Sequence, residues 1–354
     1  MDFNGYLMSG DTVAARIENG TVIPVCSALL PLWLTERNDL EGWLKSRAID
    51  RHRTNSRVLK KLLRLTDSGD LAAVLRAHGA TITDHYWIRS DQETELTYPD
   101  IRFTSDRFAE VALTGSFSSY DRTLSEAELA SGTPELTNTG SYEKCWKLEE
   151  GSWWLYKSEN RLERFSELFI CELGKALGFP MAEYLPSGNY IKTKDFTGGT
   201  LNYEPAEALV GEEEDYVYNY DKLTKLDPLL GKQYLDLLFM DALCFNMDRH
   251  TKNYGVLRDR NTGHILRMAP NFDNNIALIS RGYGSDACHT SPLLIDLFRE
   301  LLVKRGLNYR VPAPDPGTVQ LLAQEVLPSE DIRRDYVTEF ILSRWETLFA
   351  ACNG

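Results

Sequence analysis

The apolar-rich pieces over 12–17 and again over 21–25 read as two short strands. Asn19-Gly20 joins them, a dipeptide that readily takes the left-handed conformations of a two-residue hairpin turn. Helical periodicity follows. Val58, Leu59, Leu62, Leu63 and Leu65 crowd one side of a segment whose other side is basic, and Leu71 to Leu75 continue that character. The turn-forming stretch from Ser131 to Gly140 marks a first boundary. Beyond it, Cys145-Trp146-Lys147-Leu148 and Trp153-Trp154-Leu155-Tyr156-Lys157 read as the arms of a second hairpin turning at Glu150-Gly151. Asn160 is placed to cap a helix whose apolar residues Leu162, Phe165, Phe169, Leu173 and Leu177 recur every three or four positions until Gly178 and Pro180 end it. Tyr190 to Lys194 reads as an extended connector. Residues 197–228 read as irregular surface structure that includes the solvated acidic run Glu212 to Asp215. An apolar helix from Tyr234 to Asn246 then leads into a polar loop, and helices are expected from Pro292 onward.

A chain of 354 residues exceeds what one hydrophobic core ordinarily serves, so two lobes with a cleft are expected. The net charge of −13 opposes broad attraction to nucleic acid or an anionic membrane. The six cysteines are scattered without a C-x-x-C pair, which argues against structural zinc and disulfides. The amino terminus lacks a signal-peptide pattern and no run is long enough to span a bilayer, so the cytoplasm is the expected compartment, with no membrane partner.

The candidate chemistry lies in Asp248-Arg249-His250-Thr251-Lys252-Asn253 and Asn271-Phe272-Asp273. Phosphoryl transfer needs a cation on the phosphates, oxygen ligands for Mg²⁺ and a carboxylate beside the incoming hydroxyl. Lys157 at the end of a strand suits the first role, and Glu167 on the next helix could orient it, with Glu163 one turn earlier as the reserve. Asp248 and Asn253 stand five positions apart, the spacing between catalytic base and metal-binding asparagine in protein kinases. A hairpin of Tyr254 to Leu257 and His264 to Met268 would return Asp273 beside Asn253, giving oxygen ligands suited to Mg²⁺. His250 is expected to brace the loop, and Lys252 either neutralises phosphate or points to water. Asp241 is expected to be a buried structural carboxylate, His264 to be structural, and Cys288-His289 to be too little for a metal. Trp153 and Trp154 are expected to form core and rim of the small lobe.

The pattern D-R-H-x-x-N occurs twice, because Asp50-Arg51-His52-Arg53-Thr54-Asn55 fits it as well. The early copy has no lysine-bearing hairpin before it and no strand returning an aspartate after it, which makes it the decoy. A separate possibility is a binding surface for nucleic acid or a partner protein, made by Lys45, Arg47, Arg51, Arg53, Arg57, Lys60, Lys61 and Arg64; the alternative is a solvated helix face.

Taken together, the motifs over about 135–280 resemble those of HipA-like kinases. Leu136-Thr137-Asn138-Thr139-Gly140-Ser141-Tyr142-Glu143-Lys144 is similar to that family's nucleotide loop, and Trp154-Leu155-Tyr156-Lys157 to its lysine strand. Ser166-Glu167 and Leu177-Gly178-Phe179-Pro180 resemble its helix and exit turn, while Asp248-x-His250-x-Lys252-Asn253 and Phe272-Asp273 fit its catalytic loop and metal aspartate. The resemblance implies an α+β, bilobal protein-kinase-like fold with a small β-rich N-lobe, a mainly helical C-lobe and an additional N-terminal region. The corresponding divisions are 1–130, 131–196 and 197–354. It implies ATP- and Mg²⁺-dependent serine/threonine kinase activity on a protein, with Asp248 as base, Asn253 and Asp273 as metal ligands and Lys157 as the phosphate-binding lysine. Thr139, Gly140, Ser141, Lys144, Glu167 and Lys252 would complete the nucleotide site. Thr137 aligns with a position that can be autophosphorylated, and an antitoxin-like partner is a further family expectation. The loop carries one glycine, and Asn274 follows the aspartate where D-F-G would continue. The D-R-H order also resembles phosphatidylinositol kinases, so a lipid kinase is the alternative enzyme, and a pseudokinase scaffold the alternative without catalysis.

Overall fold

The computed structural model describes all residues except 66–68, 117–124, 126–131, 285–290 and 354. Cys288 and His289 therefore lie outside the described residues. The chain begins with β1 (Gly5–Ser9), β2 (Thr12–Glu18) and β3 (Thr21–Pro24), followed by α1 (Leu32–Arg37), α2 (Leu40–Ser46), α3 (Thr54–Leu62) and α4 (Asp70–Arg76). Next come β4 (Tyr86–Ser90), α5 (Tyr98–Ile101), α6 (Ala109–Thr114), β5 (Lys144–Glu149), β6 (Ser152–Lys157) and α7 (Arg161–Ala176). Then follow β7 (Tyr184–Ser187), β8 (Tyr190–Lys194), β9 (Leu201–Pro205), α8 (Glu207–Val210), α9 (Tyr216–Leu226) and α10 (Pro228–Cys244). The remainder is β10 (Gly255–Asp259), β11 (Ile265–Met268), α11 (Leu293–Arg305), α12 (Pro316–Glu325) and α13 (Arg334–Asn353).

These elements form two compact units. The first holds Met1–Ser158, Lys192–Glu204 and Leu257–Leu266; the second holds Glu159–Ile191, Pro205–Val256 and Arg267–Gly354. The chain passes from the first to the second after β6, at Ser158, and then again within each of the strands β8 to β11.

In the first unit the opening sheet has the order β3-β2-β1-β4, with Gly5 opposite both Ile17 and Ser90 in antiparallel register. Asn19 and Gly20 both take positive φ (49° and 78°), as the two-residue turn requires. Leu7, Ala15, Ile17 and Val22 of this sheet pack with Leu40, Trp43 and Leu44 of α2 and Val74 of α4 in one core. The segment 257–266 belongs here because Arg258 is buried and donates to the carbonyls of Leu30 and Ala28 (both 2.7 Å) while pairing with Glu204. The second hairpin sets Lys144 opposite Lys157, and its turn residues Glu150 and Gly151 again have positive φ. Tyr190–Lys194 is not merely a connector: it is strand β8, next to β6 in the sheet, and it is followed by the Asp195 N–H donating to the Trp153 carbonyl.

In the second unit, α7 starts where Asn160 predicts. The Asn160 Oδ1 accepts the N–H groups of Leu162 and Glu163, and the Glu163 carboxylate accepts the Asn160 N–H at 2.9 Å. Glu163, the reserve partner for Lys157, thus serves the cap. Phe165 and Phe169 stack at 5.7 Å on the buried side of α7. Helix α10 is apolar around most of its circumference and correspondingly buried.

The segment 197–228 is ordered, contrary to the irregular reading: it contains β9, α8 and α9. Strand β9 gains its hydrogen bonds from β10, far away in sequence, so no local periodicity reveals it. The acidic run remains exposed, and Asp215 at its end caps α9 by accepting the Tyr218 N–H at 2.7 Å.

Candidate active site

Helix α10 ends at Phe245, in left-handed conformation, and delivers the chain into the loop at 246–253. The loop is held by its own polar groups. Asn246 Oδ1 accepts the Asp248 N–H at 3.1 Å, the Asp248 carbonyl accepts the His250 N–H, and His250 accepts the N–H groups of Lys252 and Asn253 on Nδ1 and its carbonyl respectively. The Asn253 side chain donates Nδ2 to the Asp248 carbonyl at 3.1 Å, which turns its Oδ1 away as the remaining ligand atom. Asp248 is half-buried and Asn253 buried.

Arg249 organises the rest. Its guanidinium is 3% exposed and meets a fully buried carboxylate, Asp241, through Nε (3.0 Å) and Nη2 (3.0 Å). The same group donates to the carbonyls of Asn253 and Phe272 (both 2.7 Å) and to the side-chain oxygens of Asn271 (2.9 Å) and Asn274 (2.7 Å). Burial pushes the Asp241 carboxyl upward and Arg249 opposes this. Desolvation likewise disfavours the guanidinium, yet Asp241, with the Asp273 and Glu167 charges, holds it above its ordinary value.

Asp273 follows at φ 61°, with its N–H on the Tyr184 hydroxyl at 3.2 Å. The next N–H, of Asn274, is received by both oxygens of Glu167 at 3.0 and 2.9 Å. Asp248, Asn253, Asp273 and Glu167 are therefore joined through one polar network in the second unit. Asn253 and Asp273 offer an amide and a carboxylate oxygen. That hard donor pair fits a Mg²⁺ ion taking the rest of its shell from phosphates and water.

No protein-family model and no curated protein matches the chain. Among solved structures it is similar to the Shewanella oneidensis MR-1 toxin–antitoxin protein HipA, from a complex with HipB and its operator DNA. That match has 14% identity and a TM-score of 0.55, and it covers 98% of this chain and 96% of the other. The fold is that of a HipA-like kinase. A second match, the Helicobacter pylori proinflammatory kinase CtkA, has 16% identity and a TM-score of 0.46 over 60% of this chain and 90% of that one.

In this HipA-like fold Thr139, Gly140, Ser141, Lys144 and Lys157 belong to the first unit. Gly140 takes φ 91°, and a side chain there would collide with the Lys144 ammonium, so the glycine admits both the bend and the lysine beneath it. Lys157 is 4% exposed at the end of β6. Thr137 is also buried; its hydroxyl donates to the Ala80 carbonyl at 2.6 Å, so phosphorylating it requires this segment first to leave its place. Lys252 is largely exposed, with Nζ 3.4 Å from Glu207, and His250 braces the loop backbone. His264 lies just before β11 rather than within it. Trp153 and Trp154 are half-buried, and the Lys192 ammonium lies 4.6 Å over the Trp154 ring.

The early D-R-H-x-x-N copy is built into the scaffold. Asp50 accepts the His52 N–H at 2.8 Å, Arg53 is 2% exposed and donates to the Lys144 carbonyl, and Asn55 donates to the Ala112 carbonyl. Of the basic 45–64 set, Lys45 pairs with Glu41, Arg47 with buried Asp84 and Lys60 with Asp70. Arg51, Arg57, Lys61 and Arg64 are exposed. Arg249, Asn246 and Asn274 were not singled out from sequence. The one available signal is the density of Asn around 271–275, since asparagine offers both donor and acceptor where a polar network must be satisfied.

Proposed function

We propose that this chain is a serine/threonine protein kinase that transfers the γ-phosphoryl group of Mg-ATP. The observation that carries this reading is that one buried guanidinium, Arg249, ties the loop bearing Asp248 and Asn253 to the segment bearing Asp273. The HipA-like fold supports it. In this reading the Asp248 carboxylate receives the proton of the substrate hydroxyl as the hydroxyl oxygen bonds to the γ-phosphorus and the bond from that phosphorus to the departing ADP breaks. Asn253 and Asp273 hold Mg²⁺, which when bound neutralises charge on the phosphates. Lys157 engages phosphate, with Thr139, Gly140, Ser141, Lys144, Glu167 and Lys252 completing the nucleotide site, and Thr137 is a site of self-phosphorylation.

The Shewanella HipA structure is a complex with HipB and operator DNA. By analogy we assign this chain an antitoxin-like protein partner and a toxin–antitoxin role in the cytoplasm. Among the described residues no helix is long and apolar enough to cross a membrane.

Labelled ATP with Mg²⁺ tests the activity. Wild type should label itself or a generic protein, whereas Asp248→Ala and Asp273→Ala should lose label by at least about 100-fold, the scale of a lost general base. Label on phosphatidylinositol and not on protein would replace the protein-kinase reading with the lipid one. No label on either would leave a pseudokinase.

A further inference from the structure

The residue after the metal aspartate is an asparagine, and it contacts both halves of the network at once. Asn274 is 2% exposed. Its Oδ1 accepts from Arg249 Nη2 at 2.7 Å and from Asn246 Nδ2 at 3.2 Å, while its Nδ2 lies 3.4 Å from Glu167 Oε1 and its backbone N–H reaches both Glu167 oxygens. We infer that Asn274 is a positioning residue that fixes Asp273 for metal binding by locking helix α7 to the catalytic loop. The inference rests on the phosphoryl-transfer reading and deepens it.

The backbone around Asp273 shows why a lock is needed. At φ 61° the residue sits in the left-handed region, which aspartate tolerates better than most non-glycine residues but still at some cost, so neighbouring contacts help to hold it there. Three flanking polar groups are held: the Phe272 carbonyl by Arg249, the Asp273 N–H by the Tyr184 hydroxyl, and the Asn274 N–H by Glu167. Arg249 comes from the catalytic loop and Glu167 from α7. The Asn274 side chain touches both.

The chemistry of the position is narrow. The side chain must accept from a guanidinium on one end and donate toward a carboxylate on the other, and an amide of this length does both. Aspartate would keep the acceptor for Arg249 and set a second carboxylate against Glu167. Leucine would remove the acceptor that Arg249 shares with Asn246 and the amide donor beside Glu167. The lock also transmits position, because any shift of α7 must be felt at the Asp273 peptide through the shared Glu167.

The test compares wild type with Asn274→Ala, Asn274→Asp and Asn274→Ser, the last keeping a hydroxyl donor and acceptor in case another variant fails to fold. Binding of Mn²⁺ in the presence of ADP is followed by electron paramagnetic resonance, and metal-free ADP binding is measured by calorimetry. Loss of a hydrogen-bonding partner behind a metal ligand ordinarily weakens the metal by roughly 10–100-fold. The variants should therefore weaken Mn²⁺ in that range while metal-free ADP stays within about twofold of wild type. Mn²⁺ affinity unchanged within about twofold would overturn the inference, as would equal loss of Mn²⁺ and metal-free ADP, the mark of general loosening. Wild type that binds neither ADP nor Mn²⁺ would remove the nucleotide reading itself, a failure visible before any variant is made.

Discussion

Replacing Arg249 by lysine keeps the charge and removes the geometry, which makes it a sharp test of the network. The guanidinium serves Asp241, the Asn253 and Phe272 carbonyls, and the side-chain oxygens of Asn271 and Asn274. A lysine ammonium has only three donors and cannot form the bidentate fork, so at least two of those five acceptor groups lose a partner. Each unsatisfied buried acceptor costs about 1–3 kcal/mol, so Arg249→Lys should destabilise the second unit by roughly 3 kcal/mol. Arg249→Met leaves the Asp241 carboxylate buried and uncompensated and should cost about 3–5 kcal/mol. Combining it with Asp241→Asn should cost less than the sum of the single changes, because the stranded charge is gone. Trp345 is the one tryptophan of seven that lies in the second unit. Urea unfolding of fluorotryptophan-labelled protein, read at the Trp345 fluorine resonance, therefore reports on that unit without assuming that both unfold together. An Arg249→Lys midpoint corresponding to less than about 0.5 kcal/mol would refute the reasoning, since surface substitutions change stability by that much.

Two further outcomes are expected. Burial pushes the Glu135 carboxyl up to about 7 from 4.5, despite opposing contacts from the Trp146 N–H, Asn138 and Arg53. The folded chain thus holds this proton more tightly than the unfolded one, and its contribution to stability falls as pH rises from about 4.5 to 7. Glu135→Gln should remove that fall, a gain of up to roughly 3 kcal/mol at pH 8, checked by tryptophan-fluorescence unfolding at pH 5 and 8; parallel pH profiles would contradict it. Preincubation with MgATP should inactivate wild type and spare Thr137→Ala, since phosphate on this loop would place negative charge beside the ATP phosphates. Equal decay in the two, followed by residual phosphotransfer, would dismiss Thr137 as the controlling site.

Much of the local structure is written in short stretches of sequence. Asn19-Gly20 and Glu150-Gly151 specify their hairpins, and Asn160 with Glu163 specifies the start of α7, because turns and caps are satisfied by residues a few positions away. The spacing of Asp248, Asn253 and Asp273 could be read from the sequence, whereas the bonds from Arg249 to the Asn253 and Phe272 carbonyls could not. Strand β9 was not legible, because its partner is β10 across some fifty residues of sequence. Nor was the burial of Thr137, whose hydroxyl meets Ala80.

The two D-R-H-x-x-N copies mark the same division. Their letters alone do not separate Arg51 from Arg249: the first is exposed, while the second is buried on Asp241 and reaches the Phe272 carbonyl and Asn274. Sequence determined the residue types and their local geometry. Which arginine became the hub, and that an asparagine would join Glu167 to it, depended on which distant donors and acceptors were buried together, because a buried polar group must find its partner wherever the fold supplies one.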